Sequence, residues 1–225
     1  MRGVFVTGTD TGVGKTAVSA ALMVRYRGAR YWKPIQTGPE DDTAEALRLS
    51  SSSRESAYLH GVRLGDPVSP HLAAKRAGTR IDLPFLTAEV KRSADSWGAW
   101  IVEGAGGVLV PVNESDLMVH LMERLGLPVV VVARTTLGTI NHTLLTIEAV
   151  RARRLAVAGV VMVGDVTVDD HADNRAAIEE YGRVAVLGEM PWFDEMAGRR
   201  PAPQQLADWA AAHLDTGGLL AEFLA

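Results

Sequence analysis

The chain contains no cysteine, which excludes disulfides, thiolate metal sites and a cysteine nucleophile. It also lacks a basic excess: 23 Lys and Arg against 27 Asp and Glu leave a formal charge of −4. That is not the balance that neutralises a phosphate backbone, so nucleic acid is not expected as a partner. Long apolar runs are missing as well. The longest, residues 127–133 and 155–164, fall short of the roughly 20 residues a membrane helix requires; no membrane span is expected, and both read as buried strands. Residues 1–8 hold neither an apolar signal core nor a small-residue cleavage site, so a cytoplasmic location is expected.

With 225 residues, 47% of them hydrophobic, the chain can bury one substantial core, and one domain spanning 1–225 is expected. Four runs rich in β-branched residues stand out at 4–6, 100–102, 129–132 and 157–163, with weaker strand candidates at 29–32 and 184–187. Their apolarity is continuous and not alternating, the habit of strands covered on both faces of a parallel sheet. Helical stretches fall between them at 15–27, 43–50, 84–96, 115–125, 139–154 and 170–181. This alternation predicts an α/β fold, a mostly parallel sheet with helices on both faces, and places a ligand at the carboxyl ends of the strands. Residues 50–65 are Ser-rich without periodicity and read as a surface excursion. The tail after Trp209 has no clear place in this scheme.

Gly8-Thr9-Asp10-Thr11-Gly12-Val13-Gly14-Lys15-Thr16 follows the first strand and leads into an apolar helix. In that setting glycines let backbone N–H groups turn toward phosphate oxygens, and the helix N-terminus adds partial positive charge. Lys15 reaches the outer phosphates, and the Thr16 hydroxyl is suited to Mg²⁺. Five residues separate Gly8 from Gly14, one more than the usual Walker A spacing, but the Gly-Lys-Thr core remains. The sequence therefore predicts a P-loop that binds a nucleoside triphosphate.

Such a site needs carboxylates for its metal. Glu103 closes the buried run Trp100-Ile101-Val102, where a Walker B acid sits, and the small residues Gly104, Ala105, Gly106 and Gly107 after it admit a ligand to the backbone. Taken alone, the segment can also be described as a bulged turn with a solvated glutamate. Asp41-Asp42, ahead of the helix from Thr43, suits an N-cap or a carboxylate aimed at the metal. Lys33, held extended by Pro34, is either a surface charge or a second ammonium near the phosphates. The residues by themselves leave these alternatives open.

Six ordered segments together resemble the dethiobiotin synthetase family: residues 7–16, 33–38, Ser69-Pro70-His71, 102–107, 137–142 and 188–192. Members convert 7,8-diaminononanoate, CO₂ and MgATP into dethiobiotin, ADP and phosphate. They do so through a carbamate and a carbamic-phosphoric anhydride, which is positioning and electrostatic chemistry. The resemblance implies that Lys15 and Lys33 neutralise charge on the γ-phosphate and carbamate, with Thr11 and Thr37 at the reacting end. It implies that Thr16, Asp42 and Glu103 surround Mg²⁺, with Asp42 chosen over Asp41. Nucleotide contacts are implied for Gly12, Val13, Gly14 and Ala17, for Gly104, Ala105 and Gly106, and around the base for Gly164, Asp165, Pro191, Trp192 and Phe193. Leu137, Gly138, Thr139, Ile140 and Asn141 correspond to a segment that crosses a two-fold interface to the substrate, so a homodimer is expected.

One departure matters. Family members commonly carry an Asn-Asp pair where this chain has Gly164-Asp165, and the Asn amide reads adenine; its loss implies that several nucleoside triphosphates are accepted. The rival from another class is a partitioning-type ATPase switch, which shares the fold. Its signature lysine near position 10 is missing here, and no Asn-Lys-x-Asp guanine motif occurs.

Overall fold

The computed structural model describes residues 1–94, 98–166, 171–191 and 202–225. Its strands are β1 (Gly3–Gly8), β2 (Arg30–Trp32), β3 (Ile35–Thr37), β4 (Ala57–Tyr58), β5 (Val62–Leu64), β6 (Trp100–Gly107), β7 (Val129–Arg134), β8 (Val157–Gly164) and β9 (Val186–Pro191). The helices are α1 (Lys15–Arg25), α2 (Asp42–Leu49), α3 (Pro70–Arg76), α4 (Leu83–Ala94), α5 (Met118–Leu125), α6 (Thr139–Ala152), α7 (His171–Gly182), α8 (Pro203–His213) and α9 (Ala221–Leu224). Seven strands form one sheet in the order β4-β2-β6-β1-β7-β8-β9, and every pairing in it is parallel.

Alternation along each strand explains the continuous apolar runs. Val4, Val6, Tyr31, Ile101, Val130, Val132, Val161 and Val163 face one core, with Val18 and Leu22 of α1, Leu49 of α2 and Leu206 of α8. Phe5, Trp32, Trp100, Val102, Val129, Val131, Val160 and Met162 face the other, with Leu86 of α4, Leu121 of α5, Ile147 of α6 and Ile178 of α7. Both faces are packed with buried apolar side chains, as the parallel-sheet reading requires.

Three expectations change. Residues 50–65 are more than a surface excursion: Ala57 is buried in β4, the edge strand beside β2, and β5 pairs with β3 in a separate two-stranded sheet. The helix expected from 115 starts at Met118, because the Asn113 side chain accepts from the backbone N–H groups of Ser115 and Asp116 and holds them in a turn. The tail after Trp209 is built into the fold: Leu214, Leu220 and Leu224 are buried. Buried Asp215 accepts from the Tyr26 hydroxyl and, at 2.8 Å each, from the N–H groups of Leu219 and Leu220. Ser96 and Asp170, expected at helix ends, lie outside the described residues.

Candidate active site

The central strand β1 ends at Gly8 and α1 begins at Lys15, so the intervening loop wraps a helix N-terminus at the carboxyl edge of the sheet. Gly14 caps α1 at φ 98° and ψ 18°, a left-handed conformation that glycine adopts without steric cost. A Cβ there would also lie 3.0 Å from Val163 Cγ1. No side chain caps this first turn, which leaves its N–H groups and positive dipole end available to phosphate oxygens. Lys15 is buried and donates to the Asp10 carbonyl at 2.9 Å. Burial first, then the neighbouring Lys33, pushes its pKa down to about 8, against the pull of Glu103, Asp42 and Asp10. Arg134, at the end of β7, braces the loop from outside by donating to the Thr11 carbonyl at 3.3 Å.

Glu103 is the hub. It is 1% exposed, and β6 runs past it to Gly107 with a register irregularity against β1, so the strand does not stop at the glutamate as its sequence suggested. Its Oε1 accepts from Thr16 Oγ1 at 2.9 Å and from Lys33 Nζ at 2.8 Å, while its Oε2 accepts from the Tyr31 hydroxyl at 3.0 Å. Lys33 Nζ also lies 2.6 Å from Asp42 Oδ2 and donates to the Gly104 carbonyl at 3.0 Å. Lys33 is no surface charge: it is 4% exposed. Burial, the largest influence, lowers its pKa, but Glu103 and Asp42 outweigh it and the net direction is upward, so the side chain stays an ammonium. Burial, followed by Glu103 and Asp42, holds the Tyr31 phenol well above its ordinary range.

The two aspartates divide their work. Asp41 caps α2, accepting from the N–H groups of Thr43 at 3.0 Å and Ala44 at 3.1 Å. With the cap filled, Asp42 turns to Lys33. Helix geometry thus separates two adjacent acids that the sequence could not tell apart.

Lys15, Thr16, Lys33, Asp41, Asp42 and Glu103 line a cavity of about 480 Å³ that also includes Thr11, Gly12, Gly14, Ala17, Thr37, Ala105 and Gly106. Lys33, Asp42 and Glu103 stand on the β2–β6 side of the phosphate loop; Val163, Met190 and Pro191, on β8 and β9, close the opposite side. Polar reacting chemistry at one end and an apolar wall at the other suit a triphosphate and its base. Val13 is wholly buried and serves the core. Gly164 pairs with Pro191 at the edge of that wall, beside Asp165. Its φ is 154°, and a Cβ there would lie 2.3 Å from Thr135 Oγ1, so glycine is required by backbone and neighbour alike. Trp192 and Phe193 lie outside the described residues.

The segment 137–141 is not brought to this cavity within one chain. Leu137 is fully exposed and Gly138 and Asn141 are exposed, Ile140 is half-buried, and buried Thr139 donates its hydroxyl to the Arg134 carbonyl at 2.5 Å. Tyr31, Gln36, Glu40 and Glu45 escaped the sequence reading. For Tyr31 a signal existed: it stands two residues before Lys33, and residues i and i+2 of an extended segment point the same way.

Fold and site define an ATP-dependent enzyme of the P-loop class. A family model described as AAA domain matches residues 2–200. Among solved structures, the ParA family ATPase from Chlorobium tepidum TLS superposes with a TM-score of 0.58 at 11% identity, over 93% of this chain and 98% of that one; the likeness is one of fold. Sequence is more specific. The ATP-dependent dethiobiotin synthetase BioD of Paramagnetospirillum magneticum is 53% identical over 192 residues, 84% of this chain and 88% of that protein. The one from Rhodopseudomonas palustris strain HaA2 is 45% identical over 195 residues, 86% of this chain and 87% of that protein. The chain belongs to the dethiobiotin synthetase family.

Proposed function

We propose that this single-domain chain is an ATP-dependent dethiobiotin synthetase, closing the ureido ring of 7,8-diaminononanoate with CO₂. The observation that carries the reading is the convergence of Lys15, Thr16, Lys33, Asp42 and Glu103 on one end of the phosphate-loop cavity, in a chain with that family's sequence. One amine of the substrate adds to CO₂ and loses a proton, giving a carbamate. A carbamate oxygen attacks the γ-phosphorus and ADP leaves. The second amine then attacks the carbonyl carbon; the bond to the phosphoryl oxygen breaks, phosphate departs and a proton is lost.

Each step concentrates negative charge near the γ-phosphate, and Lys15 and Lys33 are the ammonium groups oriented to meet it. Lys33 is immobilised by Glu103 and Asp42, so its charge is in place before the reaction begins. Thr11 and Thr37 hydrogen-bond at the reacting end. The Thr16 hydroxyl and the carboxylates of Asp42 and Glu103 form a hard oxygen donor set of the kind Mg²⁺ takes. Among the described residues no group of three or more His, Asp or Glu is placed to hold a metal ion by itself. Bound there, Mg²⁺ would neutralise phosphate charge.

The base would rest by Pro191, Gly164 and Asp165, with Trp192 and Phe193 next along the chain. The segment 137–141, with Leu137, Gly138 and Asn141 exposed, would complete the pocket of a second copy in a homodimer, where exposed Leu137, Leu145 and Tyr181 leave apolar surface on and beside α6 and α7. The partners in this reading are small molecules and a second copy; no helix among the described residues is long and apolar enough to cross a bilayer. We assign the chain to the cytoplasm. Phosphate release from ATP, measured with and without diaminononanoate and bicarbonate, tests the reading. Release should require both; release indifferent to the diamine would point to a switch ATPase.

A further inference from the structure

Tyr31 has no part in the chemistry above, yet it touches the hub of the site. Its ring is wholly buried on β2 in the core that also holds Val18, Leu22 and Leu49. Its backbone is fixed by pairing with Ile101 of β6 on one side and Ala57 of β4 on the other. The hydroxyl therefore sits on a rigid mount, and it donates to Glu103 Oε2 at 3.0 Å. Among the described residues this is the hydrogen bond that Oε2 receives, while Oε1 faces Thr16 and Lys33. The two carboxylate oxygens thus have different duties: one is tied into the core, and the other is presented to the cavity.

We infer that Tyr31 is a positioning residue for Glu103, selecting the carboxylate oxygen and the rotamer offered to the divalent cation. The inference rests on the reading of Glu103 as a metal ligand. A buried carboxylate held by one outer donor cannot swing to take the cation through both oxygens, and its orientation is set before the cation arrives. Without the hydroxyl, Oε2 has no donor among the described residues, and the carboxylate is free to rotate toward Lys33 or Thr16 to find one. Partners of metal ligands act through geometry in this way, and their removal typically weakens metal affinity about 10- to 100-fold.

Tyr31→Phe removes one oxygen and keeps the ring. Mn²⁺ affinity is measured by electron paramagnetic resonance on the protein–ADP complex for the parent, Tyr31→Phe, Glu103→Gln and the double variant. ADP affinity in metal-free buffer and the melting temperature are measured alongside. Tyr31→Phe should weaken Mn²⁺ binding by about 10-fold or more, with metal-free ADP affinity unchanged. It should raise the Mg²⁺ concentration giving half-maximal turnover by a similar factor while kcat at saturating Mg²⁺ changes little. In the Glu103→Gln background it should add nothing. Mn²⁺ affinity within about twofold of the parent would overturn the inference, as would an equal loss of metal-free ADP binding or an undiminished effect when Glu103 is already Gln. If Glu103→Gln itself leaves Mn²⁺ affinity intact, the metal assignment falls, a result distinct from failure of Tyr31 alone.

Discussion

Replacing Lys33 by Ala should damage stability and turnover together, and the structure sets the size of each. The ammonium is 4% exposed and lies 2.8 Å from a Glu103 oxygen and 2.6 Å from an Asp42 oxygen. Its removal strands one carboxylate that is 1% exposed and a second that is 25% exposed. Breaking a buried pair by deleting one partner costs about 3–5 kcal/mol. Because Asp42 regains part of its hydration and Glu103 keeps the Thr16 and Tyr31 hydrogen bonds, the lower half of that range applies. For a chain of 225 residues this is a fall in Tm of roughly 6–16 °C, leaving a folded protein. Turnover loses an oriented charge at the transition state, about 10²-fold or more. Calorimetry of parent and variant, with phosphate release measured below both melting points, reads the two effects. Adding Mg²⁺ with ADP should restore more Tm to the variant than to the parent, because a divalent ion satisfies the stranded carboxylates. Near-parental Tm and turnover in Lys33→Ala would refute the role given to the Lys33 network.

Asp41→Ala should cost about 1 kcal/mol of stability, the value of an N-cap, with activity largely kept. Asp42→Ala should reverse that pattern, with a small melting shift and a large rise in the Mg²⁺ needed for turnover; matching effects in the two variants would undo the division between them. With Gly164 at the wall, kcat/KM for ATP should exceed that for CTP, GTP or UTP by less than about a hundredfold, or 2.7 kcal/mol. A larger preference over every competitor would mean that other groups read the base. Mixing inactive Lys15→Ala and Asn141→Ala chains under conditions that exchange subunits should recover part of the activity, and none despite proven exchange would count against a shared pocket.

The phosphate loop was legible because it is local: strand, glycines, Gly-Lys-Thr and helix follow one another within nine residues, and each type has one physical use. The long strands were legible because both their faces are buried, which leaves uninterrupted, Val-rich apolar runs at 129–132 and 157–163. Strands β3, β4 and β5 are two or three residues long, too short for any period to register. The hub at Glu103 was only half visible. Its partners Tyr31 and Lys33 lie 72 and 70 residues away in sequence, and only the β2–β6 pairing brings them together. The tail was opaque for the same reason, since Asp215 meets Tyr26 across 189 residues. Asp41 and Asp42 show the finer limit: each suits either role by residue type, and the helix start chose.

The ring-closing claim has a signature in its oxygen atoms. In the proposed sequence a carbamate oxygen bonds to the γ-phosphorus and leaves with it, so one oxygen of CO₂ ends in phosphate. A rapid-quench reaction with ¹⁸O-labelled bicarbonate, ATP and diaminononanoate, analysed by mass spectrometry before the label exchanges with water, follows that atom. The account predicts one ¹⁸O in the phosphate for each dethiobiotin formed. Phosphate whose new oxygen comes from water alone would contradict it.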